Sequence, residues 1–300
     1  MAAPPRLNRR RAPLVRLWIG LLRALARPPF HDELGRKGAF APISRAQPHK
    51  VERVELTLPG WPRWQRPLRI AFLSDFHTGS HADDVARLAA IVAEAAAFAP
   101  DLVLYGGDYV NLQPFGGGRV PPRIIAAILA RLSGPSGRFA VLGNHDVYYR
   151  AQEVAEALTA HGIPVLDDER GTFVHEGSTV HILGIPDARS TRAEPRGLLA
   201  SLPAAPALVL AHDPVWFAHM PPGPYLMLAG HTHGGQIALP GIGPLLNASK
   251  APLRWSRGLV VEEGRTLYVT TGIGTSGVPL RIGVPPEYAI IEVTGAAREG

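Results

Sequence analysis

Short apolar runs recur along the chain, and polar residues able to bind metals close five of them. "RIAFLSDFH" leads to Asp75 and His77, "DLVLYGGD" to Asp108, and "RFAVLGNHD" to Asn144, His145 and Asp146. "ALVLAHD" leads to His212, and "YLMLAGHTH" to His231 and His233. Runs this short and this apolar predict strands buried on both faces. Glycine stands at several junctions, where the backbone must turn sharply. Ahead of them "VERVELTL" alternates, with Val54, Leu56 and Leu58 on one side, and predicts a half-buried strand. Helical spacing separates the early runs. Val85 to Phe98 sets Val85, Leu88, Ile91, Val92 and Ala95 on one face, and Ile124 to Leu132 and Gln152 to Ala160 have similar spacing. "TVHILGI", "TLYVTTGI" and "YAIIEV" predict a second set of strands with hairpin-like loops. The alternation of strand and helix predicts an α/β fold: two sheets face to face, helices outside, ligand sites at the carboxyl ends of strands.

The front of the chain is built differently. Residues 8–30, "NRRRAPLVRLWIGLLRALARPPF", hold no uncharged stretch near the ~20 residues that a spanning helix needs. Wound at about 100° per residue, they set Arg16, Arg23 and Arg27 on one side and Leu14, Trp18, Leu21, Leu22 and Leu25 on the other. That pattern predicts an N-terminal amphipathic helix in a membrane interface, arginines toward anionic headgroups and Trp18 at the boundary. Pro13 suits its first turn, and Pro28-Pro29 its end. An export signal of twin-arginine type, using Arg9-Arg10-Arg11, is a second reading, which the internal arginines oppose. A helix docked on the protein's own core is a third. The expected organisation is a membrane-interface segment at 1–30, a linker at 31–50, a catalytic domain at 51–294 and a tail at 295–300. The expected location is the cytoplasmic face of a membrane.

Composition narrows the chemistry. A chain of 300 residues is long enough to bury a substantial core. It has no cysteine, which excludes disulfides and thiolate metal sites. Any metal is held by His, Asp, Glu and Asn, a donor set for Mn, Fe, Zn or Mg. The net charge of +6 favours an anionic partner: a membrane surface, a nucleic acid or a phosphate substrate.

The strand-end residues Asp75, His77, Asp108, Asn144, His212, His231 and His233 are too many for one tetrahedral site. They suit two ions that share a carboxylate and leave positions open for water and substrate. In an extended strand, residues i and i+2 point the same way, so Asp75 and His77 can serve one ion. His231 and His233 would share an ion if extended, or serve two if the glycines around them bend the chain. His31, His49, His81, His161, His175, His181 and His219 lack this setting and are expected at the surface or as satisfied core residues.

The five motifs Asp75-Phe76-His77, Gly107-Asp108, Gly143-Asn144-His145-Asp146, His212 and Gly230-His231-Thr232-His233 resemble those of the calcineurin-like metallophosphoesterase superfamily. The continuation "GHTHGGQ" is similar to the bacterial branch that includes membrane-associated phosphodiesterases. The resemblance implies a four-layer α/β/β/α sandwich. It implies that Asp75, His77 and His233 bind a first ion, that Asn144, His212 and His231 bind a second, and that Asp108 bridges them. It also implies that His145 faces the substrate, with Asp146 orienting it. The metals implied are two divalent ions, Mn, Fe or Zn.

The expected activity is phosphoester hydrolysis by a hydroxide held between the ions, with His145 donating a proton to the leaving oxygen. The amphipathic front makes a lipid-linked phosphodiester or pyrophosphate, such as a UDP-diacylated sugar, the expected substrate. A nuclease or nucleotide phosphodiesterase is the alternative. Against it, the basic charge gathers at the N-terminus and the body lacks a basic strip interleaved with aromatics, so no specific nucleic-acid partner is expected. A non-catalytic metal scaffold is a further alternative, and a scaffold has no need of His145. "GTSGVPLRIG", ending near Arg281, reads as a hairpin or as a phosphate contact, and Gly116-Gly117-Gly118 as a plain loop or a mobile rim.

Overall fold

The apolar runs become the inner strands of two sheets. The computed structural model describes residues 46–113, 118–187, 195–239, 243–244 and 247–296. The amphipathic segment at 8–30, Gly116-Gly117 and the last four residues of the tail lie outside the described residues. In chain order the first strands are β1 (Lys50–Leu58), β2 (Leu68–Leu73), β3 (Leu102–Tyr105) and β4 (Arg138–Ala140). Next come β5 (Glu169–His175), β6 (Ser178–Ile185), β7 (Ala207–Ala211) and β8 (Tyr225–Ala229). The remaining strands are β9 (Ala238–Leu239), β10 (Gly243–Pro244), β11 (Gly258–Glu262), β12 (Arg265–Val269) and β13 (Glu287–Gly295). The helices are α1 (Asp84–Ala97), α2 (Pro122–Leu129), α3 (Asn144–Ala160) and α4 (Pro195–Ala200).

One large sheet has the order β1-β13-β2-β3-β4 and the other β11-β12-β8-β7-β6-β5, while β9 and β10 form a separate two-stranded sheet. Four of the five strands that lead to motifs, β2, β3, β7 and β8, are interior and pair in parallel, β2 with β3 and β7 with β8, and the fifth, β4, lies at the edge in parallel with β3. Their carboxyl ends therefore emerge at one edge of each sheet.

The period-2 pattern divides each inner strand between two cores. Leu68, Ile70 and Phe72 of β2 and Leu102 and Leu104 of β3 pack between the sheets, against Leu208, Leu210, Leu226 and Leu228 of β7 and β8. The alternate residues, Ala71, Leu73, Val103 and Tyr105, pack outward under α1, α2 and α3. On the far sheet Val209, Ala211, Met227 and Ala229 face outward too, covered by Leu199 of α4 and by Phe217 and Trp255 from single 3-10 turns. The result is a four-layer α/β/β/α sandwich with a thin fourth layer. Burying one large apolar side chain stabilises by about 1.5–3 kcal/mol, so three stacked cores give the strand ends a rigid base. No helix among the described residues is long and apolar enough to cross a membrane.

Several elements differ from the sequence expectation. "YAIIEV" does not join the later strands. As β13 it returns to the first sheet and inserts between β1 and β2. Val85 is largely exposed, because the buried face of α1 starts at Asp84 and continues through Leu88, Ile91, Val92 and Ala95. The third helix begins at Asn144 rather than Gln152, with an extended residue at Arg150 between its two parts. The motif Asn144-His145-Asp146 thus forms a helical first turn.

Candidate metal centre

The carboxyl ends of β2, β3, β7 and β8 and the start of α3 meet at one rim. Ligand atoms of Asp75, His77 and His233 lie within 4.8 Å of one another. Those of Asp108, His212 and His231 do the same, and so do those of His77, Asp108 and His145. These three groups share members and form one continuous cluster, with Asn144 beside His145 in the first turn of α3. All seven candidate ligands are buried.

The backbone reaches this arrangement by leaving the strands abruptly. Asp75 (φ 53°), His77 (39°), Asp108 (56°), His231 (67°) and His233 (51°) all sit in the left-handed region. They are half of the ten non-glycine residues so placed among the described residues, and each such residue costs on the order of 1–3 kcal/mol. The pairing of Asp75 with His77 thus arises from a bend past the strand end rather than from extended i, i+2 geometry. The same kind of bend sends His231 and His233 to different groups.

Hydrogen bonds hold the bends in place. The Asp75 and His77 N–H groups donate to the Gly107 and Asp108 carbonyls (both 2.9 Å), carrying the contact between β2 and β3 beyond both strands. The His231 N–H donates to both oxygens of Asp75 (3.0 Å each), tying one sheet's rim to the other's. Two glycines permit close approach. A Cβ on Gly143 would stand 2.1 Å from Asp108 Oδ1, and one on Gly230 would stand 2.3 Å from Asp75 Oδ2.

Asp146 does something other than the sequence led us to expect. Its carboxylate accepts the N–H groups of Asp108 (2.8 Å), Tyr109 (2.8 Å), Gly143 (2.9 Å) and Val110 (3.3 Å). It shapes the backbone that presents Asp108 and Asn144. The group beside the His145 ring is the Ser276 hydroxyl, 3.2 Å from Nε2.

Burial and mutual charge set the protonation of these side chains in the metal-free cluster. Burial pushes the Asp75 carboxyl up to about 6. Burial raises Asp108 as well, but His212, then His145 and His77, outweigh it and hold that carboxyl well below the usual range. Burial and the neighbouring His145 bring His77 down to about 3, and burial with His77 and Arg281 keeps His233 neutral. Burial and His212 lower His231 too. His212 is the exception: Asp108 and Asp75 overcome its burial and favour its charged form. Burial and the Asp108 charge push Asp146 up, against the pull of its N–H donors.

The donor set fits divalent cations. His212 Nδ1 lies 2.7 Å from the Gly106 carbonyl, which fixes the ring and turns Nε2 toward Asp108 Oδ2 at 3.5 Å. His212 Nε2, His231 Nε2 and Asn144 Oδ1 are buried without a hydrogen-bond partner, which is costly unless something else satisfies them. His77 Nε2 and His233 Nε2 face each other at 3.0 Å, next to Asp75. Nitrogen and oxygen donors without thiolate suit Mn, Fe or Zn.

Four contributors went unnoticed in the sequence. Asp187 and Asp213 lie, buried, beside His231, with Asp213 Oδ2 3.8 Å from its Nε2. The rule that located the other residues finds both: Asp187 stands two residues past β6 and Asp213 two past β7. Gln236 and Ser276 lack such a signal, since their partners are distant in sequence. Arg281 is not available to a phosphate. It is 3% exposed and donates to the carbonyls of Thr271 (2.7 Å), Gly274 (3.0 Å from Nε) and Gly272 (3.2 Å), with His233 Nδ1 at 3.2 Å. The segment 274–283 is accordingly a clamped loop and not a hairpin. His81 and His175 are buried and partnered, as expected of core histidines.

Sequence comparison points the same way. The family model of the calcineurin-like phosphoesterases matches residues 68–235. Phosphodiesterase YaeI of Escherichia coli (strain K12) is 31% identical over 240 residues, 76% of this chain and 82% of that protein. A Danio rerio transmembrane protein with a metallophosphoesterase domain is 31% identical over 257 residues, 80% of this chain and 56% of that protein. The solved NAD nucleotidase of Haemophilus influenzae is 14% identical, with a TM-score of 0.45, over 68% of this chain and 44% of its own. This chain spans about half the length of the solved structures it matches. The family match covers more than half of the chain and contains all five motifs that meet at the rim, so the protein belongs to the calcineurin-like phosphoesterases and is a phosphoester hydrolase.

Proposed function

We propose that the rim holds two divalent cations and hydrolyses a phosphodiester or pyrophosphate in a lipid-linked substrate. The observation that carries the metal reading is the set of buried, unpartnered atoms His212 Nε2, His231 Nε2 and Asn144 Oδ1 beside two His/Asp groups joined through His77 and Asp108. In this reading Asp75, His77 and His233 form a first cage. Asn144, His212 and His231 form a second, and Asp108 belongs to both. Divalent cations there supply charge neutralisation at the phosphoryl oxygens and a more acidic water.

The chain's own groups do the rest. His145, in the first turn of α3, offers its proton to the leaving oxygen, a contribution typically worth about 10²–10⁴ in rate. Asp146 fixes the loops that carry Asp108 and Asn144. The three-layered apolar base keeps the cages from spreading when a charged substrate arrives. A diester is favoured by the similarity to a protein named a phosphodiesterase. The lipid link rests on the basic amphipathic pattern of residues 8–30, which brings the enzyme to a surface rich in phosphoesters. A UDP-diacylated sugar is one substrate of this class, and manganese is a suitable metal.

The test is hydrolysis of bis(p-nitrophenyl) phosphate by the full chain with added Mn²⁺, beside Asp108→Ala and His145→Ala, with metal content measured on each. We expect Asp108→Ala to lose both metal and turnover. His145→Ala should keep its metal and lose turnover on diesters of poor leaving groups. A metal-free but fully active wild-type protein would contradict the reading. Flotation of the full chain on anionic liposomes, compared with a chain starting at residue 31, tests the lipid link, and equal flotation removes it.

A further inference from the structure

One polar side chain outside the cages reaches His145, and two more hold the loop that carries it. Ser276 Oγ lies 3.2 Å from His145 Nε2. Ser276 is itself held by Gln236, the last residue of "GHTHGGQ". The Gln236 Oε1 accepts the Ser276 N–H (2.8 Å), and its Nε2 donates to the carbonyls of Ser276 (3.0 Å) and Val278 (3.1 Å). Gln236 occupies the left-handed region (φ 55°), so the backbone is bent to aim this amide. On the other side of the loop, the buried Arg281 guanidinium donates to the Gly274 carbonyl. A loop with no regular structure is thereby fixed at both ends of Ser276.

We propose that Ser276 is a positioning residue for the reaction, and that Gln236 exists to hold it there: the pair fixes the ring of the proton donor. The proposal rests on the reading of His145 as the proton donor. The contact between Ser276 Oγ and His145 Nε2 sets which way the ring faces. His145 Nδ1 is buried and has no hydrogen-bond partner, and the ring packs edge-on against His77 with centroids 4.5 Å apart. Contact with His77 limits where the ring can go, and the Ser276 hydroxyl fixes its rotation. Without that hydroxyl the ring keeps its place but loses its aim. The loss falls on substrates whose leaving oxygen needs a proton and spares those whose leaving oxygen does not.

Leaving-group dependence reads this out. The full chain with Mn²⁺ is assayed on bis(p-nitrophenyl) phosphate, whose leaving group needs little protonation, and on a phenyl or alkyl phosphodiester, whose leaving group needs much. For Ser276→Ala we expect kcat on the poor-leaving-group diester to fall about tenfold. On the activated diester it should change less than about twofold, with metal content and Tm unchanged. Ser276→Thr, which keeps the hydroxyl, should restore the rate. Gln236→Ala should give the same selective loss with Ser276 intact. Equal losses on both substrates, or none on either, overturn the proposal. His145→Ala separates the two readings. If it shows the selective loss and Ser276→Ala does not, only the positioning role falls. If His145→Ala shows no selectivity, the proton-donor reading fails and this proposal fails with it.

Discussion

The two cages proposed above share Asp108 but have opposite surroundings. Behind the first, formed by Asp75, His77 and His233, stands a positive charge: Arg281 lies 3.2 Å from His233 Nδ1. Burial lowers Arg281 only to about 9, so it remains charged at neutral pH. Behind the second, formed by Asn144, His212 and His231, stand the buried carboxyls Asp187 and Asp213. The second cage also holds the unpartnered atoms, whereas Asp75 in the first is already bonded to the His231 backbone. In a low-dielectric interior such outer charges act strongly. The arrangement teaches that two cages with similar inner ligands need not bind cations equally: the first should give up its ion more readily.

The largest expected effect comes from the residue common to both. Asp108→Ala should drop metal content from two ions per chain to below one and reduce diester turnover by more than about 10²–10³-fold, as measured by elemental analysis and initial rates. Retention of two ions would show that the cages do not depend on a shared carboxylate. Next in size is a change behind the second cage only. Asp213→Asn should weaken the second cage by about 10–100-fold in a competitive chelator titration and leave the first unchanged. Equal weakening of both would mean that Asp213 acts on the fold and not on one cage.

A smaller and graded effect follows from pH. Asp75 titrates near 6 because burial disfavours its charge, so the metal-free fold binds a proton there below that pH. Proton and cation compete for the same carboxylate. First-cage affinity should therefore be full above pH 6 and fall by about tenfold per unit below it. His77, which takes up a proton only near 3, does not add to the loss over this range. Mn²⁺ titrations at pH 7.5 and pH 5 check the sign, and tighter binding at pH 5 would refute it.

Much of this centre was legible in the sequence because strand ends are local. An apolar run, a glycine and a polar residue sit within a few positions, and the alternation in "RIAFL" and "ALVLA" already divides the residues between inner and outer cores. Asp187 and Asp213 are legible by the same rule, each two residues past a strand end. Other features depend on contacts that no window of sequence contains. β13 reaches the first sheet from the end of the described chain, Ser276 meets His145 from 131 positions away, and Arg281 turns inward because carbonyls of its own loop receive it. The left-handed backbone at Asp75, His77, Asp108, His231 and His233 was hidden as well, since these residue types do not require it.

Anomalous diffraction from crystals of the full chain grown with Mn²⁺ tests the dinuclear centre most directly. The account predicts two peaks at the rim, one within bonding distance of Asp75, His77 and His233, the other of Asn144, His212 and His231, with Asp108 touching both. A single peak, or peaks away from these side chains, would contradict it.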